Sequence, residues 1–171
     1  MTDREFIPLG IAVLTVSDSR DSSQDKSGDL LAEKIQGSGH RLAARDLVPD
    51  DIYQIRVRVS AWLVDPDIRV ILTTGGTGVT GRDGTPEAIA PLLDKKIDGF
   101  GEMFRSLSYE TIGTSTLQSR AMAGVANGHY VFCLPGSPGA CRDAWEKLIE
   151  KQLDYRTRPC NLVELMPRLG E

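Results

Sequence analysis

Histidine is nearly absent from this chain: His40 and His129 are the only two in 171 residues. We expect both at the surface or at a strand edge, and no chemistry that depends on them. Cysteine is scarce too, with Cys133, Cys141 and Cys160 odd in number and none at C-x-x-C spacing. Reduced structural thiols in a cytoplasmic protein are the expectation. No block of lysine and arginine exists, and the formal net charge is -4. That argues against a nucleic-acid or anionic-membrane surface, because phosphate backbones select basic stripes. It leaves room for a small anion gripped locally. The opening MTDREFIPLG carries early charges without an apolar core, so no secretory signal is expected. No apolar run approaches the length of a membrane span.

What is present is ordinary for a globular chain, 40% hydrophobic and 26% charged, enough for a core in one domain spanning 1–171. Neither an internal repeat nor a linker interrupts it. Apolar runs at Gly10–Val16, Arg69–Thr73 and Tyr130–Leu134 are continuous rather than alternating, as in strands covered by helices on both faces. Residues 41–48 read as a more polar strand nearer an edge. Helical spacing links Ile52, Ile55, Val59, Trp62 and Leu63, and again Cys141, Ala144, Trp145, Leu148 and Ile149. A shorter stripe, Leu30, Leu31, Lys34 and Ile35, ends at Gly37 and Gly39. Alternating β and α elements predict a three-layer αβα sandwich with a mostly parallel central sheet. Ligands in such folds bind beyond the carboxyl ends of the strands. The segments there are Ser17–Arg20, Thr74–Gly78 and Pro135–Pro138, each an abrupt change to small, polar or charged residues.

The stretch ILTTGGTGVTGRDGTPEA, residues 71–88, fits two phosphate-binding signatures imperfectly. Gly76, Gly78 and Gly81 match G-x-G-x-x-G, yet the third glycine of a dinucleotide loop belongs inside the next helix. That helix is expected to begin with Thr85 as its cap, Pro86 at the first position and Glu87 facing the helix dipole. A nicotinamide-dependent oxidoreductase is therefore the distant reading. A P-loop would need Lys-Ser/Thr where Arg82-Asp83 stand. A carboxylate at that rim repels phosphate unless a cation sits between them, which suggests Mg2+, a hard ion that takes oxygen ligands. Pro135–Pro138 repeats the device, with Ser137 as a cap, Pro138 at the first helical position and Gly136 permitting close approach. Either junction alone is explained by capping. Together they aim two helix N-termini, each a potential anion site, at one edge of the sheet.

Taken together these segments resemble the MogA/MoaB family of molybdenum cofactor biosynthesis proteins. The resemblance rests on Val16–Arg20, Asp25–Gly28, Thr73–Gly78, Arg82-Asp83 with Thr85–Glu87, Gly99–Glu102, Gly113–Ser115, Ser119-Arg120 and Leu134–Pro138. Ser115–Ala121 and the tail Arg156–Asn161 look closest to the MoaB branch. The resemblance implies an α/β domain assembled as a trimer or a hexamer, binding molybdopterin, a pterin dithiolene with a terminal phosphate. It also implies work beside other molybdenum-cofactor enzymes. Adenylyltransferase members join AMP from ATP to that phosphate and carry two aspartates, which here match Asp50 in Val48–Asp51 and Asp83.

The resemblance thus implies a Mg2+- and ATP-dependent adenylylation of molybdopterin. It implies Asp50 and Asp83 as the catalytic, metal-holding pair. Gly75, Gly76, Thr77 and Gly78 form the loop, Gly136 and Ser137 a second anion cradle, and Ser115 a pterin or phosphate contact. Asp18 and Arg20 complete the crevice. A phosphate monoester is already anionic at neutral pH, so such a reaction asks for positioning and charge neutralisation more than for a base. The MoaB-like remainder keeps a second reading open, a non-catalytic carrier or storage protein for molybdopterin or a nucleotide. Asp50 by itself reads equally as a cap ahead of Ile52. Trp62 and Trp145 are expected in the core or at subunit contacts, Glu102 and Arg105 as an i,i+3 surface pair, and Arg120 within reach of a phosphate.

Overall fold

The computed structural model describes residues 3–171. The apolar run Gly10–Val16 forms β1, buried along its whole length. Burial on both faces is what a strand between two helical layers requires. β3 (Val70–Thr74) and β6 (His129–Leu134) are equally buried, and β1, β3 and β6 lie side by side in parallel. The more polar β2 (Arg41–Val48) pairs in parallel with β1 and forms one edge, where exposed positions tolerate Arg41 and Arg45. The full sheet has six strands in the order β2-β1-β3-β6-β5-β4.

Helices cover both faces of this sheet. Odd-numbered Ile11 and Val13 of β1, with Leu72 and Phe132, pack on α1 (Lys26–Gly37), α4 (Asp98–Ile112) and α5 (Pro138–Ala144). Ala12 and Leu14, with Ile71 and Val131, pack on α2 (Ile52–Trp62) and α3 (Thr85–Ile89). α5 continues through a π-helical turn, Trp145–Ile149, into α6 (Glu150–Gln152), and α7 (Leu162–Leu165) lies beyond. The three-layer αβα sandwich is therefore observed. Trp62 and Trp145 both belong to its core. Each fully buried Ile, Leu or Val contributes roughly 1.5–3 kcal/mol. Among the described residues no helix is long and apolar enough to cross a membrane.

Sequence patterning missed two strands that join the sheet through antiparallel pairing. β5 (Met122–Ala126) turns back on β6, and β4 (Lys95–Lys96) pairs with β5. The signal was Asn127-Gly128, whose φ angles of 44° and 74° are the pair that a two-residue hairpin demands. The histidines also depart from expectation, since both are buried. His40 Nδ1 accepts a hydrogen bond from the Leu9 amide at 3.1 Å, and the ring packs against Phe6 and Trp145. Arg105 does not pair with Glu102; its guanidinium donates to the Ala121 carbonyl at 2.9 Å, which ties α4 to the sheet.

Burial lowers the His40 pKa below its ordinary 6.5, against the pull of the Asp154 and Glu150 carboxylates. A group held neutral in the fold contributes stability above its unfolded pKa and loses it as pH falls through the folded value. The thermal midpoint should therefore drop as pH goes below 6.5. His40→Gln should flatten that dependence in a melting series between neutral and acid pH. An unchanged slope would remove His40 from the account.

Candidate functional site

Strand order reverses at β1: the chain leaves it for β2 on one side, then crosses to β3 on the other. A crevice opens at such a reversal, beyond the carboxyl ends of the strands. Loops after β1, β2, β3 and β6 converge there. Gly75 donates its amide to the Leu134 carbonyl at 3.0 Å, and Ser17 donates to the Val48 carbonyl at 3.0 Å. Gly75 has φ +102°, and a Cβ there would lie 2.2 Å from the Val16 carbonyl oxygen. Only glycine lets the chain leave β3 across the end of β1. Gly136 permits the opposite approach, since a Cβ there would meet the Gly75 Cα at 3.3 Å.

The turn Gly75–Gly78 is braced from below. Thr85 does not cap α3; Gly84 holds that position, and Thr85 Oγ1 donates to the Gly75 carbonyl at 2.9 Å. The threonine hydroxyl serves the glycine turn rather than its own helix. Thr77 is buried, and its carbonyl accepts from the Arg120 amide at 3.2 Å. Gly81 lies before α3, with open space around it. The dinucleotide signature therefore lacks the helix-packing role of its third glycine.

Carboxylates flank this turn on both sides. Asp50 does not cap α2; the neighbouring Asp51 does, accepting from the Gln54 amide at 2.9 Å. Asp50 is left to pair reciprocally with Asp18. The Asp18 amide donates to Asp50 Oδ2 at 3.1 Å, and the Asp50 amide donates to Asp18 Oδ1 at 3.0 Å. Asp50 Oδ1 faces Gly76, only 2.9 Å from where a Cβ would stand. Partial burial raises the Asp50 pKa, and the Asp18 and Asp83 charges add to that rise. Asp83 stands beside Gly78, where its Oδ2 accepts from the Thr80 amide at 3.0 Å and from the Thr80 hydroxyl. One oxygen of each carboxylate is thus committed to the protein. Asp50 and Asp83 have Oδ1 to offer a ligand.

Among the described residues no cluster of three or more His, Cys, Asp or Glu could hold a metal. Mg2+ is commonly held by one or two carboxylates together with substrate phosphates and water. The uncommitted Oδ1 atoms of Asp50 and Asp83 are hard oxygen donors of the kind such an ion takes.

Two of the nearby arginines act as struts. Arg20 donates to the Gly136 carbonyl at 3.0 Å and to Ser27 Oγ at 3.3 Å, joining the loops after β1 and β6. Arg120, expected to reach a phosphate, spends its donors inside the protein. Its Nε donates to the Gly78 carbonyl at 2.8 Å, its Nη2 to the Asp83 carbonyl at 3.0 Å, and it forms an ion pair with Glu87. Arg120→Ala strands two loop carbonyls and should destabilise the protein by about 1–3 kcal/mol in urea unfolding. Arg120→Lys should recover only part of that, because an ammonium cannot reproduce the fork. Equal stability of all three proteins would show the strut to be idle.

Ser137 caps α5 as expected, accepting from the Ala140 amide at 3.3 Å, with Pro138 as the first helical residue. Ser115 is exposed in the 3-10 turn Gly113–Gln118, which leads to Arg120. It makes no hydrogen bond to the glycine turn among the described residues.

Residues 12–155 match the family described as a probable molybdopterin binding domain. The Molybdenum cofactor biosynthesis protein B of Escherichia coli (strain K12) is 55% identical over 157 residues, 92% of each chain. The chain belongs to the molybdopterin-binding family, on its MoaB branch. The Bacillus cereus protein of the same name is 47% identical over 146 residues, covering 85% of this chain and 86% of its own. A crystal structure of Molybdenum cofactor biosynthesis protein B superposes with TM-score 0.88 at 40% identity, covering 98% of this chain and 99% of that one. The tungsten cofactor synthesizing protein MoaB from Pyrococcus furiosus gives TM-score 0.78 at 33% identity, covering 96% and 98%.

Within this molybdopterin-binding fold, sequence reasoning found the glycine turn and both aspartates beside it. It missed Thr85 as the prop of that turn and Arg82 as a partner of Asp18. The Thr85 signal was ambiguous, since Thr-Pro reads as a cap followed by a first-turn proline. The Arg82–Asp18 pairing carries no local signal, because its members follow different strands.

Proposed function

We propose that this chain works in molybdenum cofactor biosynthesis, adenylylating molybdopterin on its terminal phosphate with ATP and Mg2+. One observation carries the reading: Asp50 and Asp83, from the loops after β2 and β3, flank a single Gly-Gly-Thr-Gly turn. A non-bridging oxygen of the molybdopterin phosphate forms a bond to the α-phosphorus of ATP. The bond from that phosphorus to the β-bridging oxygen breaks, and pyrophosphate leaves. Mg2+, when bound, would neutralise phosphate charge. The chain's own part is positional. Gly75 and Gly76 let phosphate approach the backbone, Asp50 and Asp83 supply carboxylate oxygens, and Gly136 and Ser137 cradle a second anion at the start of α5. Asp18 holds Asp50 in place, Arg20 holds the α5 loop, Thr77 anchors the turn to Arg120, and Ser115 contacts the pterin.

The cytoplasm is the place expected for this work, with self-association as trimer or hexamer. Exposed Met103, Ile112 and Leu117 on and after α4 are apolar surface consistent with that assembly. The reading is tested by mixing purified protein with molybdopterin and Mg-ATP and following pyrophosphate release alongside adenylylated product. Molybdopterin bound without product would turn the conclusion to a carrier or storage protein.

A further inference from the structure

Arginines border this crevice in two different states. Arg20 and Arg120 are spent on backbone carbonyls and cannot leave without stranding them. Arg82 is bound otherwise. Its Nε and Nη2 grip Asp18 Oδ2 and Oδ1 at 2.9 and 2.8 Å, a two-pronged pair with side chains 66% and 41% exposed. That pair joins the β3 loop to the β1 loop. Asp18 in turn holds Asp50 by the reciprocal amide bonds, so the chain Arg82–Asp18–Asp50 links the loops after β3, β1 and β2.

A guanidinium fork that fits a carboxylate fits a phosphate equally well. An exposed pair of this kind contributes only about 0–1 kcal/mol, so exchange of its anion is cheap. We propose that Arg82 is a latch: it grips Asp18 until a metal-bound nucleoside triphosphate enters, and then releases Asp18 and grips the polyphosphate. The arriving cation takes over the neutralisation of the carboxylates that Arg82 gives up. This rests on the nucleotide-dependent reading above. Arg82 is a positioning residue for nucleotide, and Asp18 is its resting partner and competitor.

The two ends of the latch predict opposite effects, which a structural role would not. By calorimetry, Arg82→Ala should weaken Mg-ATP binding about tenfold or more, with Arg82→Lys intermediate. Asp18→Asn keeps an oxygen for the Asp50 amide but removes the charge that holds Arg82. It should tighten binding of ATP without metal by about fivefold or more. Melting curves of each variant verify the fold. Wild-type affinity in Arg82→Ala, or unchanged or weaker metal-free binding in Asp18→Asn, overturns the latch. Product formation measured on the same samples separates the two ideas. Turnover with Arg82 variants behaving as wild type sinks the latch alone. Arg82-dependent binding without turnover sinks adenylylation alone. No nucleotide binding by the wild type sinks both.

Discussion

Asp50→Asn should abolish adenylyl transfer, by about a thousandfold or more, in a protein that still folds and still binds molybdopterin. The asparagine is isosteric and keeps an acceptor for the Asp18 amide, so the reciprocal loop contact survives. What disappears is the charge. In the fold that charge is disfavoured by burial and by Asp18 and Asp83, which together raise the Asp50 pKa. A carboxylate with a raised pKa weakens the fold when it is ionised, and this cost is fully present above the folded pKa. At neutral pH the variant should therefore melt at the same temperature as the wild type or slightly higher. Lost activity with retained or increased stability marks a residue kept for function. Activity within tenfold of wild type would remove Asp50 from the chemistry.

Gly75→Ala should cost more than about 3 kcal/mol in denaturant unfolding, or prevent folding altogether. Two independent penalties meet at that residue. Its φ of +102° is strained for any side chain, and the added Cβ would stand 2.2 Å from the Val16 carbonyl oxygen. That oxygen is backbone at the end of β1 and cannot rotate away. Gly81→Ala is the control within the same loop, with nothing within 4 Å of its Cβ position. It should change stability by less than about 0.5 kcal/mol. A small effect at Gly75, or equal effects at both glycines, would show that the turn is looser than its geometry requires.

The central layer was legible because its strands are sealed on both faces and so read as unbroken apolar runs. Gly10–Val16 could hardly be anything else. β5 escaped because its run Met122–Ala126 holds small residues and a glycine, and its identity depends on the Asn127-Gly128 turn after it. The site was legible in its parts and not in its connections. Asp50-Asp51 offers two adjacent candidate caps, and only the extended backbone at Asp51 decides that Asp51 caps α2 and Asp50 is free for Asp18. Arg120 looked available for phosphate because sequence shows a cation without showing the Gly78 and Asp83 carbonyls that occupy it. Arg82 looked like a misplaced P-loop lysine. Its role emerges only when the ends of β1, β2 and β3 are brought to one edge of the sheet.

The most direct measurement supplies ATP labelled on its α-phosphate, with Mg2+ and molybdopterin, to the purified wild-type protein. The label should move to molybdopterin, one pyrophosphate being released for each transfer. It should remain on ATP when Asp50 is replaced by Asn. Label staying on ATP with the wild type, under conditions where molybdopterin is demonstrably bound, would contradict adenylyl transfer.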